Sequence, residues 1–211
     1  MIVTIIGAGM MGRGIGTRLL AGGTDVELID KDPASAEKLA QELAGQDKAS
    51  ATVGEVGRLG GEIIVLALPY GAAADVVAGY GEQLAGKIVI EISNPVDFST
   101  MELLTPIDSS AAEEVAKLVP RGTPVVKAFN TTFAQTLVDG QVAGQQLEVL
   151  IAGNDAAAKG KVAALVEAGG LQPIDVGMLR RARQLEHLGL LHMSLQDRLG
   201  TEFRSAVKFI W

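Results

Sequence analysis

The apolar run Ile2-Val3-Thr4-Ile5-Ile6 passes directly into Gly7-Ala8-Gly9-Met10-Met11-Gly12, and a helical pattern follows over Met10–Ala21. Few folds accept that succession. A strand that ends on GxGxxG and opens a helix is the first half of a βαβ unit built to approach an anion. Gly7 permits the tight turn, Gly9 lets a pyrophosphate come close to the backbone, and Gly12 lets the helix lie against the sheet. Gly16, one turn on, extends the small-residue face. Unpaired backbone N–H groups at the helix start, with the helix dipole behind them, favour negative charge. Gly7, Ala8, Gly9, Met10, Met11 and Gly12 are therefore the candidate pyrophosphate cradle.

The remainder of the chain repeats the alternation. Apolar runs at Val26–Ile29, Glu62–Leu68, Lys87–Ile92, Pro124–Phe129, Leu147–Ala152 and Gln172–Val176 read as strands, with a weaker one near Lys48–Val53. Helical patterns lie at Pro33–Leu43, Ala72–Leu84, Ala111–Leu118 and Ala156–Ala168, and Asp32-Pro33 is a good helix start. Strands alternating with helices give an α/β class with a doubly wound, mostly parallel sheet. The expected order is 3-2-1-4-5-6, with extra C-terminal strands at one edge, and the ligand crevice lies where the order reverses, between strands one and four. Residues 1–211 read as one nucleotide-binding domain, with a core over 1–130 and a small extension over 131–211. In the extension, Leu185, Leu188, Leu191, Leu195 and Leu199 recur at helical spacing, so a long helix is expected over Met178–Leu199.

Composition narrows the function. Hydrophobic residues make up 48% and aromatics only 4%, so the core is aliphatic, as suits buried parallel strands. A net charge of −7 argues against nucleic acid as a partner. The chain has no cysteine and only two histidines, His187 and His192, which excludes disulfides and a thiol nucleophile and leaves no spacing for a metal site. No basic leader and no membrane-length apolar run is present, so a cytoplasmic location without membrane contact is expected.

Further candidates follow the strands. Asp30, eighteen residues after Gly12, ends the second strand, where a carboxylate accepts the adenosine ribose hydroxyls and repels a 2′-phosphate. That favours NAD over NADP; the neighbouring Lys31 works against the preference and Asp32 restores it. Leu68 and Pro69, before Tyr70, follow the fourth strand and suit the face of a ribose or ring. Asn94, in Ser93-Asn94-Pro95, suits the nicotinamide ribose or amide, though the same residues also make a plain turn. Asn130 and Thr131 follow the sixth strand, near the reacting ring. His187 and His192 read first as packing residues and second as proton donors. Arg180, Arg181 and Arg183 read as solvated helix surface or as contacts for an anionic tail. Three activities stay open: hydride exchange between NAD(P) and a second redox coenzyme, reduction of a small carbonyl or imine with His187 or His192 as proton donor, and nucleotide sensing without turnover.

The chain resembles the NADPH-dependent deazaflavin (coenzyme F420) reductases, and is similar to the nucleotide-binding domain of the STEAP metalloreductases. The resemblance runs through Ile5–Gly12, Ala67-Leu68-Pro69-Tyr70, Val125-Val126-Lys127-Ala128-Phe129-Asn130-Thr131, Pro173–Gly177 and Arg183-Gln184-Leu185-Glu186. It implies a homodimer without a separate catalytic domain, and hydride exchange between a nicotinamide and a deazaflavin. It implies a cofactor site of Gly7, Gly9, Met10, Met11, Gly12, Asp30, Lys31, Leu68, Pro69 and Asn94, with Asn130 and Thr131 beside the two rings; no catalytic acid is implied, and Asn130, Thr131 and His187 are the candidates nearest the chemistry. The chain departs from the family at Asp30-Lys31-Asp32, where NADP-using members carry a small hydroxyl residue followed by arginine.

Overall fold

A computed structural model describes residues 1–45 and 48–210. Eight strands form the central sheet: β1 (Ile2–Ile6), β2 (Asp25–Ile29), β3 (Ala51–Val53), β4 (Ile63–Leu66), β5 (Ile88–Glu91), β6 (Val125–Lys127), β7 (Glu148–Gly153) and β8 (Gln172–Gly177). Their spatial order is β3-β2-β1-β4-β5-β6-β7-β8, the expected doubly wound order extended at one edge. The switch point falls between β1 and β4, which pair in parallel with Ile6 opposite Leu66. The first six strands are mutually parallel.

The alternation of each strand supplies both faces. Val3, Ile5, Val65, Ile90 and Val126 enter one core cluster, and Ile6, Ile64, Leu66, Val89 and Val125 enter the other. Burial on both faces explains why these runs show no polar alternation.

The helices are α1 (Met10–Ala21), α2 (Pro33–Leu43), α3 (Tyr70–Tyr80), α4 (Ala111–Leu118), α5 (Ala134–Asp139), α6 (Ala156–Ala168), α7 (Ala182–Ser194) and α8 (Gln196–Leu199). Side-chain caps start three of them. Asp32, Ser110 and Asp155 accept from the amides of Ala34, Glu113 and Ala158.

Three features add to or correct the expectations. The extra strands β7 and β8 run parallel to each other but antiparallel to β6, with Ala152 opposite Lys127. Between β6 and β7 the chain passes through α5 and a small hairpin, Gln141–Val142 with Gln145–Gln146, and so re-enters the sheet from the crevice end. Second, Met178–Leu199 is not one long helix: a 3-10 turn at Leu179–Arg181 precedes α7, and α8 follows it as a separate turn. Third, the leucine spacing does not mark the buried face. Ala182, Leu185, Glu186, Gly189, His192 and Gln196 are buried, whereas Leu191 and Leu199 are exposed. Polar groups share the buried face because they find internal partners. Elsewhere β3, β4, β5 and β6 are shorter than their apolar runs by two or three residues, and Ala72–Leu84 divides into α3 and a 3-10 turn over Gly81–Leu84.

Candidate functional site

The glycine turn stands at the carboxyl end of β1 in the geometry its sequence demands. Gly7 has φ +111°, and a Cβ there would lie 2.2 Å from the carbonyl oxygen of Ala67. A Cβ on Gly12 would lie 2.1 Å from the carbonyl oxygen of Gly7. Both glycines are therefore required by the fold itself. Gly9 is different: a Cβ on it would meet no protein atom within 4 Å. Gly9 is the N-cap of α1, which begins with no acid in its first turn and no side-chain cap. The N–H groups of the first turn have no intrahelical acceptor. A glycine where the fold has room for a side chain, beside free amides at a helix start, fits a pyrophosphate approaching the backbone.

Asp30 closes one side of this cradle. Its Oδ2 accepts from the Ala8 amide at 2.7 Å and its Oδ1 from the Asp32 amide at 3.0 Å. The carboxylate is half-buried between the glycine turn and α2, while Lys31 is exposed. Leu68 closes the other side, half-buried, with its Cδ2 3.3 Å from the Cβ position of Gly7. Pro69 is exposed, Met11 packs on the core, and Met10, 80% exposed, stands at the rim. The structure thus brings Gly7–Gly12, Asp30 and Leu68 together.

Asn94, half-buried, and Asn130, buried, pair with each other. Asn94 Nδ2 donates to the Asn130 carbonyl at 2.7 Å, and Asn130 Nδ2 donates to Asn94 Oδ1 at 2.8 Å and to the Leu185 carbonyl at 2.9 Å. Asn94 also packs against Gly189 of α7, where a Cβ would lie 2.6 Å from Asn94 Oδ1. The two asparagines fasten the β5 and β6 loops to α7. Phe129, just before Asn130, has φ +64°, a left-handed conformation that costs a bulky residue about 1–2 kcal/mol. Thr131 is buried beside it. His187 is exposed on α7, with Nδ1 2.7 Å from the Arg183 carbonyl. Arg183 forms a paired ion contact with Glu113, so it is engaged at the surface.

Beneath the asparagines lies a charged cluster that the sequence reading did not identify as a site. Glu91 ends β5, Lys127 ends β6, and the two are register partners. Lys127 is fully buried and donates to Glu91 Oε2 at 2.5 Å, the Ser93 carbonyl at 2.5 Å and Glu186 Oε1 at 2.7 Å. Glu91 Oε1 accepts from the amide and the hydroxyl of Ser93, and Glu186 Oε2 accepts from the Ala111 amide at 3.1 Å. Burial pushes the Glu186 carboxyl up, against the opposing pull of Lys127. The available signal was an acid and a lysine ending two otherwise aliphatic strands. Tyr70, first residue of α3 at the crevice, has its hydroxyl held up by burial and then by the negative charges of Glu114, Glu186 and Glu91.

Residues 2–95 match the family model described as NADP oxidoreductase, coenzyme F420-dependent. Over its full length the fold superposes on a crystal structure from Arthrobacter sp. FB24, provisionally called an F420-dependent NADP reductase, with a TM-score of 0.84, 31% identity and 99% of both chains covered. The chain belongs to the coenzyme F420-dependent NADP oxidoreductase family. It is 29% identical to the F420-dependent NADP reductase of Methanothermobacter marburgensis, covering 94% of each protein. It is also 33% identical to the metalloreductase STEAP3 of Rattus norvegicus over 89% of this chain, but spans only 36% of that longer protein.

Proposed function

We propose that this protein is an oxidoreductase that exchanges a hydride between a nicotinamide dinucleotide and the deazaflavin coenzyme F420. The carrying observation is the glycine cradle: Gly9 leaves open the space a side chain would fill, at a helix start with free amides, in a chain of this family. When bound, the nicotinamide supplies a hydride from its ring carbon. The protein's own part is placement. The α1 amides hold the pyrophosphate, and Asp30 faces the adenosine ribose from the end of β2. Leu68 covers the floor beside Gly7, and the Asn94–Asn130 pair holds the β5 and β6 loops at the far end. Transfer between two rings needs no side-chain acid at the reacting carbon; it needs the rings held at about 3–3.5 Å with water excluded. Exposed His187, bonded to a backbone carbonyl, is not required by this mechanism.

Asp30 gives the nucleotide preference. A carboxylate at this point accepts ribose hydroxyls and repels a 2′-phosphate. The reading is therefore NAD in preference to NADP, with Lys31 beside it as a partial counterweight.

The same reading makes residues 1–211 one nucleotide-binding unit that works in the cytoplasm as a homodimer. Exposed Phe98, Leu104 and Ile107, with Leu191, Leu199 and Phe203, support a second copy as partner. Among the described residues no helix is long and apolar enough to cross a membrane. Mixing the protein with oxidised F420 and either NADH or NADPH, and following the deazaflavin absorbance, tests the activity. Loss of absorbance is expected, faster with NADH; nucleotide binding without any loss overturns the assignment.

A further inference from the structure

The Glu91–Lys127–Glu186 cluster carries an unbalanced charge. All four carboxylate oxygens face donors: Ser93 N and Oγ on one, Lys127 Nζ on two, and Ala111 N on the fourth. A protonated Glu186 would find no acceptor for its proton, because Lys127 Nζ and the Ala111 amide only donate. At Glu91 the Ser93 amide and Lys127 Nζ only donate, and the Ser93 hydroxyl is the one group that can also accept. Lys127 Nζ faces three acceptors, which matches an ammonium with three protons. With both carboxyls ionised, two carboxylates and one ammonium sum to −1. The start of α4, through Ala111, offsets about half a unit and leaves the sum negative.

Holding the strand ends together does not require this arrangement. Well-packed apolar residues do so at equal or lower free energy than a buried ion cluster, and an excess charge adds to the cost. Its place in the fold suggests a use. Glu91 and Lys127 are the last residues of β5 and β6, so the cluster lies directly under the loops Ile92–Asn94 and Ala128–Thr131 at the crevice floor. Asp30 and the glycine turn are on the other side of the switch point, at β2 and β1. A dinucleotide with its adenosine at Asp30 therefore has its nicotinamide on the cluster's side.

We infer that Glu91, Lys127 and Glu186 form a fixed net negative charge beneath the nicotinamide half of the crevice that favours the oxidised, cationic ring over the reduced, neutral one. Loss of a hydride to the acceptor, two electrons with one proton, makes the ring one unit more positive. The cluster therefore strengthens the bound reduced nucleotide as a hydride donor. Glu91, Lys127 and Glu186 act through the field and touch no reacting atom. This inference rests on the nucleotide reading given above.

The test compares affinities for the oxidised and reduced forms of whichever nucleotide, NAD or NADP, binds more tightly, using calorimetry. Glu186→Gln and Glu91→Gln each remove one negative charge from a different element. Each is expected to raise the ratio of oxidised to reduced Kd about tenfold, the effect of a unit charge across about 10 Å at an effective dielectric near 20. The reduced form should change little. An unchanged ratio, or equal weakening of both forms, overturns the inference and leaves the cluster a structural brace. The wild-type protein gives a second reading that depends on no variant folding. It should bind the oxidised form at least as tightly as the reduced form, and a reduced form bound about tenfold tighter overturns the inference. Binding of neither form overturns the nucleotide reading and this inference with it.

Discussion

The Ala8 amide donates to Asp30 Oδ2 at 2.7 Å, so the residue placed to select the nucleotide also holds the glycine turn. The two roles separate in variants. Asp30→Asn keeps an acceptor for Ala8 but removes the charge, and Asp30→Ser removes the reach as well. Both should lose NAD affinity by about tenfold or more, since a hydrogen bond to a charged group is worth about 1.5–3 kcal/mol. Both should gain NADP affinity once the repulsion of the 2′-phosphate is gone. Calorimetric Kd values for the two nucleotides check this; an unchanged NAD-to-NADP ratio would remove Asp30 from the site.

Gly9 and Gly12 make opposite demands on an added methyl group. Gly9→Ala meets no protein atom within 4 Å, whereas Gly12→Ala drives its Cβ to 2.1 Å from the Gly7 carbonyl oxygen. Gly9→Ala should melt within a few degrees of wild type and lose most nucleotide binding. Gly12→Ala should lose stability first, by about 1–3 kcal/mol as overpacking does. Melting curves with and without nucleotide distinguish the two.

Lys127 is the counter-charge for two buried carboxylates. Lys127→Met leaves Glu91 and Glu186 facing each other without it, and should cost about 3–5 kcal/mol. Chemical denaturation measures that loss. A midpoint equal to wild type would mean that the carboxylates had taken up protons or solvent without penalty.

His192 gives a pH dependence with a definite sign. Burial, against the opposing effect of the Thr131 backbone, lowers its pKa below the ordinary 6.5. Its ring stacks on Phe133 at 4.3 Å and its Nε2 lies 2.8 Å from Ser205 Oγ. The native state therefore stays neutral where the unfolded chain takes a proton. Stability should be full above 6.5 and fall as pH drops below it, with a limiting slope of about 1.4 kcal/mol per pH unit. Urea unfolding at about pH 7.5 and about pH 5.5 reads the slope, and His192→Gln should flatten it.

The sheet order and the cradle were legible in the sequence because their signals are local. Ile2–Ile6 runs into its glycines, and Asp30 closes the next strand. The reversal of β7 was not legible, since it depends on the path through α5 and the hairpin that follows it, where residues 131–146 carry no strong periodicity. The buried face of α7 and α8 was not legible, because Leu191 and Leu199 complete an apolar spacing yet are exposed, while Glu186, His192 and Gln196 are buried alongside Ala182, Leu185 and Gly189. Glu186, His192 Nε2 and Gln196 find partners in Lys127, Ser205 and Thr201, and partners outside the helix leave no periodic trace in it. Asn94 and Asn130 were correctly placed at strand ends, but their mutual pairing arises only when β5 and β6 become neighbours.

Direct passage of the hydride between the two coenzymes is tested by reduced nucleotide carrying deuterium at the transferring ring carbon, mixed with oxidised F420 and the protein, and followed by mass spectrometry of the reduced deazaflavin. The label is expected in the deazaflavin in proportion to nucleotide consumed. Reduction with the label found in water, or nucleotide bound with no deazaflavin reduced, would contradict it.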